Sequence, residues 1–237
     1  MSRTGTFPRL FLAFATVLAG CSEPTDESLF PLTPGRNWYY QARTVVRDEP
    51  HAQRIVIANT VAKDVPGAKL ATQRRQMAWD YYFKETERGI FRIGSTDRRE
   101  NGPRTAEEEV MILPHDVKEG SSWRMTSRLE LVESRTFSAD DRIVGRYYPV
   151  HLTARVAARD ESVKVPAGSF AHCVRVDATG ETSVRVDRGY GTAPVKVTQQ
   201  DWYAPGVGLV KSTRLEHSDS TFLRPGTYDQ ELVSFER

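Results

Sequence analysis

The chain has 237 residues, 39% of them hydrophobic and 27% charged, with 33 Lys and Arg against 31 Asp and Glu. This near-balance gives no basic footprint for binding nucleic acid by net charge. No stretch beyond the first twenty residues is apolar enough to cross a bilayer as a helix.

Residues 1–20 read as a lipoprotein signal peptide. Arg3 and Arg9 form a basic start, Leu10–Leu18 is a short apolar run, and Leu18-Ala19-Gly20-Cys21 is a lipobox. Cleavage before Cys21 makes Cys21 the lipidation site and removes Arg3 and Arg9, which leaves 31 charges of each sign. Attachment to the membrane then rests on acyl chains, not on charge. Cys173 becomes the one remaining thiol, so an intramolecular disulfide is excluded. Residues 21–28 are a polar, lipidated tether, and 29–237 suit a single β domain.

The domain opens at Phe30-Pro31-Leu32-Thr33-Pro34-Gly35, and Trp38-Tyr39-Tyr40 begins the first strand. Two echoes suggest related lobes over 29–110 and 111–237. Gly35-x-x-Trp38 matches Gly120-x-x-Trp123, each after a Leu/Pro turn. Tyr82-Phe83 to Gly89-Ile90-Phe91 parallels Tyr203 to Gly208-Leu209-Val210. Between these markers the chain alternates. Trp123, Met125, Leu129 and Leu131 share one parity, as do Val150, Leu152, Ala154 and Val156. Period two with one apolar face predicts half-buried antiparallel strands, about a dozen of them. Helix signals are short, at Thr105–Glu109 and Ala139–Ile143. With no long apolar helical stripe, the sheet must cover itself. The expected fold is therefore all-β: an antiparallel curled sheet closing toward a barrel or half-barrel, with few short helices. Three polar connections, 97–109, 133–142 and 187–194, read as exposed loops, and Tyr190 between two glycines is an adaptable contact.

The C-terminal half carries Val165-Pro166-Ala167-Gly168-Ser169-Phe170 and then Trp202-Tyr203-Ala204-Pro205-Gly206-Val207-Gly208-Leu209-Val210-Lys211. Pro166 and Gly168 make turn material, Pro205-Gly206 suits the centre of a type II turn, and Gly208 marks a bulge or a close backbone approach. This motif pair resembles one found in a broad group of bacterial secreted lipoproteins, which are loosely similar to LolA/LolB-type periplasmic half-barrel carriers. The resemblance covers roughly Pro31 to Leu215 and implies an all-β envelope protein. It also implies that Ser22, in place of an aspartate after the lipidated cysteine, directs the protein to the outer membrane, on its periplasmic face. It brings no catalytic residue with it.

Chemistry-bearing constellations are sparse. The five histidines, at 51, 115, 151, 172 and 217, show no metal-ligand spacing, so no metal or cofactor is expected. Ser169 follows Gly168 without the strand-to-helix elbow of a nucleophile. His172 and Cys173 are neighbours on a strand and point to opposite faces. Cys173 reads as a half-buried strand residue. The aromatics Trp38, Trp123, Trp202 and Tyr203 sit at strand ends, as core and rim residues or as the lining of an apolar ligand cavity. The expected function is binding without catalysis: an apolar ligand such as a lipid or acyl chain, held in envelope maintenance. The alternatives are an accessory interaction protein of an envelope complex, and a hydrolase with a dispersed site.

Overall fold

The computed structural model describes residues 27–46, 48–62, 70–74, 79–97, 104–134, 148–187 and 191–236. Every regular element among them is a strand. The N-terminal half runs β1 (Asn37–Val46), β2 (Glu49–Thr60), β3 (Leu70–Arg74), β4 (Trp79–Thr86), β5 (Gly89–Asp97) and β6 (Arg104–Pro114). The rest runs β7 (Ser122–Arg128), β8 (Glu133–Ser134), β9 (Pro149–Val165), β10 (Gly168–Asp187), β11 (Gly191–Ala204), β12 (Gly208–His217), β13 (Leu223–Arg224) and β14 (Gly226–Glu236).

Twelve strands form one antiparallel sheet in the order β6-β5-β4-β3-β2-β1-β14-β12-β11-β10-β9-β7, and β8 pairs with β13 in a small second sheet. Each half is thus a meander, and the long-range pairing of β1 with β14 joins them. The sheet curls. Its two end strands, β6 and β7, bring Cα atoms within 8 Å of each other. The Arg92 guanidinium, from β5, donates to the Thr126 carbonyl of β7 at 2.9 Å. Among the described residues no backbone ladder joins β6 to β7, so the sheet is curled but not a fully closed barrel.

Alternation builds the core as expected. Along β9, Val150, Leu152, Ala154 and Val156 are buried between exposed neighbours, and Ala193, Val195 and Val197 do the same on β11. They pack with Leu129, Val132 and Leu223, which plug one end of the curl. A second core gathers Trp38, Tyr40, Ile55, Val210 and Leu232 with Val163, Val165 and Cys173 from the tip of the β9–β10 hairpin. The hairpin reaches it by bending. Asp160 and His172 lie across from each other with φ of 70° and 57°, and the β9–β10 register shifts between Phe170 and Val176. The tip then docks through Ala167 N–H donating to the Leu232 carbonyl at 2.9 Å.

The echoed segments share geometry. Gly35 and Gly120 both have φ of 87°. Gly35 N–H donates to Asn59 O while Asn59 N–H donates to Arg36 O. Gly120 N–H donates to Val156 O while Val156 N–H donates to Ser121 O. The tryptophans that follow pair with the residue two before each partner, Trp38 with Ile57 and Trp123 with Ala154. A bulge immediately precedes both Phe83 and Tyr203.

Two expectations need correction. Thr105–Glu109 is strand, not a helical turn: it lies inside β6, where Thr105 pairs with Gly94. A capping pattern stabilises a helix by only about 1 kcal/mol, and one turn alone is marginal; the β5–β6 ladder outweighs it. For the same reason the connection 97–109 shortens, since β5 extends to Asp97 and β6 starts at Arg104. Ala139–Ile143 and Tyr190 lie outside the described residues.

Candidate functional site

The open end of the curl is framed by two strand turns and two straps. Pro205-Gly206, with Gly206 at φ 71°, turns β11 into β12, and Gly89 begins β5 at φ 146°. The N-terminal strap crosses between them. Ser28 O accepts from Gly206 N–H at 3.0 Å, Phe30 packs its ring 5.1 Å from that of Phe83, and Pro31 lies 3.2 Å from the position a Gly208 Cβ would take. Gly208 is thus approached by the Pro31 ring, with the Leu29 carbonyl 3.9 Å from the same position, and the β11–β12 register shifts close by, between Trp202 and Tyr203. The second strap follows β6, where His115 N–H donates to Arg88 O at 3.2 Å.

Between the straps lies an open cleft of ≈ 590 Å³, within the range of small-ligand sites. Leu29, Phe30, Ile90, Leu113, Val117 and Val174 supply an apolar lining. The charged lining comes from Glu27, Glu85, His115, Arg159, Asp160 and His172. Two histidines bring their own carboxylates. His115 Nε2 is 3.6 Å from Glu85 Oε1, and His172 Nδ1 is bonded to Asp160 Oδ1 across the bend. Ser28 Oγ, on the same wall, accepts from Phe30 N–H at 3.2 Å. A second hollow of ≈ 480 Å³ lies along β10, β11, β12 and β14, and hydroxyls and amides such as Thr179, Thr198, Gln200 and Thr213 dominate it. An apolar ligand fits the first cleft better, because burying a hydrocarbon against polar groups leaves those groups unsatisfied.

The aromatic candidates do not converge there. Trp38 is buried and donates from Nε1 to Val207 O at 2.6 Å. Tyr203 is buried, and burial, with Asp201 and Tyr40 nearby, holds its phenol well above the usual range. Trp202 is half-buried, donates to Glu161 Oε2 at 2.7 Å and lies under the Lys211 ammonium. Trp123 packs against the main core, and its buried Nε1 has no acceptor among the described residues. None of the four lines the cleft. Cys21 lies outside the described residues, and six positions separate it from Glu27 on the cleft wall.

Cys173 is fully buried, not half-buried. Burial raises its thiol, and Sγ contacts the Phe170 carbonyl at 3.5 Å. His172 is exposed and turns to Asp160, on the opposite side from Cys173 as expected; the register shift instead breaks the alternation between Cys173 and Val174, which are both buried. No cluster of three or more His, Cys, Asp or Glu suited to a metal occurs among the described residues. Alternation alone did not single out Arg159, Leu113 or Val117. Their signal is positional, since they flank a bend and a strap.

Residues 44–221 match the DUF3108-like family. No curated protein gives a significant match. Two solved structures are similar to this chain. One is a candidate lipoprotein from Parabacteroides distasonis, 13% identical, with 88% of this chain and 98% of that one covered at a TM-score of 0.42. The other is a candidate exported protein with a YmcC-like fold from Bacteroides fragilis, 14% identical, with the same coverage and a TM-score of 0.37.

Proposed function

The chain belongs to the DUF3108-like family, and we propose that it is a lipid-anchored envelope protein that binds an amphiphile with an apolar tail, without catalysis. The lipobox at Cys21 supports the anchor, and Ser22 supports the periplasmic face of the outer membrane. The observation that carries the binding reading is the ≈ 590 Å³ cleft, whose wall includes Glu27–Phe30, the segment that continues from the tether. A chain spans at most about 3.5 Å per residue, so the six steps from Cys21 to Glu27 hold the cleft within roughly 20 Å of the bilayer surface. Apolar lining at that distance suits a ligand taken from, or passed to, the membrane. The resemblance to LolA/LolB-type carriers points the same way.

The test is native mass spectrometry of the mature chain purified gently from a bacterial host. A reproducible added mass, lost on denaturation and lost in Leu113→Glu, is the expected result. An unliganded protein that also fails to take up a monoacylglycerol would overturn the reading.

One observation favours a second reading, ester hydrolysis. Asp160 holds His172 through Nδ1, which leaves Nε2 toward solvent as in an acid–base relay, and Ser28 shares the cleft. Covalent labelling of Ser28 by a fluorophosphonate, abolished in His172→Gln, would establish hydrolysis in place of binding alone.

A further inference from the structure

The cleft has a polar side as well as an apolar one, and its charges are unequal in kind. Three carboxylates, Glu27, Glu85 and Asp160, face it, against one guanidinium, Arg159. The two histidines lie against Glu85 and Asp160. Arg159 has no ion-pair or hydrogen-bond partner among the described residues, although Asp160 follows it directly in sequence. The reason is the bend. Asp160 takes φ of 70° and turns its carboxylate across the hairpin to His172. The guanidinium is left at the cleft with its donors free, and the carboxylates remain acceptors.

Simple amphiphiles fit this arrangement poorly. A headgroup with only negative charge would meet the guanidinium but also the repulsion of three carboxylates, which solvent screens in part because the groups are exposed. A headgroup with only positive charge would leave Arg159 unsatisfied. A neutral headgroup would use neither. Resting on the amphiphile-binding reading above, we propose that the cleft recognises a zwitterionic aminoalkyl phosphodiester lipid, with its phosphate on Arg159 and its primary ammonium among the carboxylates. Its acyl chain lies along Phe30, Ile90, Leu113 and Val174. A planar guanidinium with several donors is suited to a phosphodiester. A primary ammonium donates up to three hydrogen bonds, which a quaternary one cannot. The membrane leaflet at the end of the tether is the source to which the geometry commits the site.

The experiment compares binding of four single-chain lipids to the intact mature lipoprotein in neutral detergent, by native mass spectrometry and by competition. The lipids share one acyl chain. They are lysophosphatidylethanolamine, lysophosphatidylcholine, lysophosphatidylglycerol and a monoacylglycerol. The expected order puts the ethanolamine lipid first, at least tenfold tighter than the glycerol phosphodiester and the monoacylglycerol. Arg159→Ala should erase that advantage and bring the ethanolamine lipid to the level of the monoacylglycerol in the same variant. Asp160→Asn keeps a residue that tolerates positive φ, and should narrow the gap between the ethanolamine and choline lipids. Equal binding of all four would overturn the headgroup proposal and leave amphiphile binding standing. Tightest binding of the anionic lipid would overturn the headgroup proposal too. Binding of none of the four would overturn both.

Discussion

Glu216 has no exposed surface, yet every role of its carboxylate is filled. Its oxygens accept from the backbone N–H groups of Glu130, Leu131 and Val132 at 2.9 to 3.1 Å, and the Arg214 guanidinium donates to Oε1 at 2.9 Å. Arg214 in turn reaches Gln199 Oε1, Ser127 Oγ and Arg128 O. This network ties the 128–132 segment, which plugs one end of the curl, to β12. Glu216→Ala would strand a buried guanidinium and three donors, so it should cost roughly 3–5 kcal/mol, the scale for breaking a buried ion pair. Urea denaturation measures it, and Glu216→Gln should lose less because one acceptor oxygen remains. Asp201 is the opposite case. It lies on the inward parity of β11 and receives Gln199 Nε2 at 2.7 Å on Oδ2, while its buried Oδ1 has no well-aligned hydrogen-bond partner among the described residues. Burial raises its carboxyl above the usual value, against the lowering effects of Ser212, Gln199 and Arg214. A raised carboxyl means the folded state holds the proton more tightly than the unfolded chain. The associated stability is complete below the unfolded value, and is lost as pH rises from there through the folded value. Asp201→Asn should therefore raise the unfolding free energy more at pH 7 than at pH 3.5. A larger gain at the lower pH would contradict this sign. The legibility of these residues differs. Asp201 continues the buried parity of Ala193, Val195 and Val197 along β11, so its face is readable from the alternation of that strand. Nothing in the spacing of Glu216 announced its partners, which come from a segment some 85 positions away.

Strand pairing decides matters that propensity leaves open. Gly180 sits within β10, directly opposite Leu152 of β9. Its φ is not in the left-handed region, so on backbone entropy alone Gly180→Ala would stabilise by about 0.4–1 kcal/mol. A Cβ there would lie 2.2 Å from His151 O and 2.8 Å from Leu152 Cδ2. The carbonyl belongs to the neighbouring strand and cannot swing aside. Overpacking, at roughly 1–3 kcal/mol, wins. Gly180→Ala should lower the thermal midpoint, and a rise would show that β9 and β10 can separate at that point. The β9–β10 hairpin was legible as strands, with its turn at Pro166–Gly168. Its bend also leaves a trace in the sequence: along β9 the buried positions pass from Val150, Leu152, Ala154 and Val156 to Val163 and Val165, a change of parity with Asp160 between them, and the left-handed backbone of Asp160 and His172 sits at that change. The Thr105–Glu109 segment shows the converse. A local helix-start signal yields to a ladder that forms only when β5 is beside it.

At the scale of the whole molecule, the N-terminal strap and the cleft lie together. The strap from Ser28 to Pro34 closes against β4, β12 and the β11–β12 turn, so Glu27 and Ser28, the first described residues, stand beside the cleft. Cys21→Ala should leave the protein unacylated and uncleaved, with residues 1–20 retained and the mass and membrane fractionation changed accordingly. Unchanged mass and membrane recovery would show that something other than the lipobox holds it there. The mature, near-neutral charge makes this readout clean, because electrostatic attachment would supply little affinity.

By itself the sequence determined the all-β class, the strand parity, the turn at Pro205–Gly206 and the Gly-x-x-Trp correspondence. All are encoded within a few residues: period two, fixed or permissive φ, and turn chemistry act locally. Only the tertiary structure decided that β1 lies beside β14, that the hairpin tip crosses to Leu232, and that Glu27, Glu85, His115, Arg159 and His172 share one cleft. Parity states which side chains share a face of one strand. It does not state which strands become neighbours, and that follows from where a curled sheet can bury its apolar faces against one another.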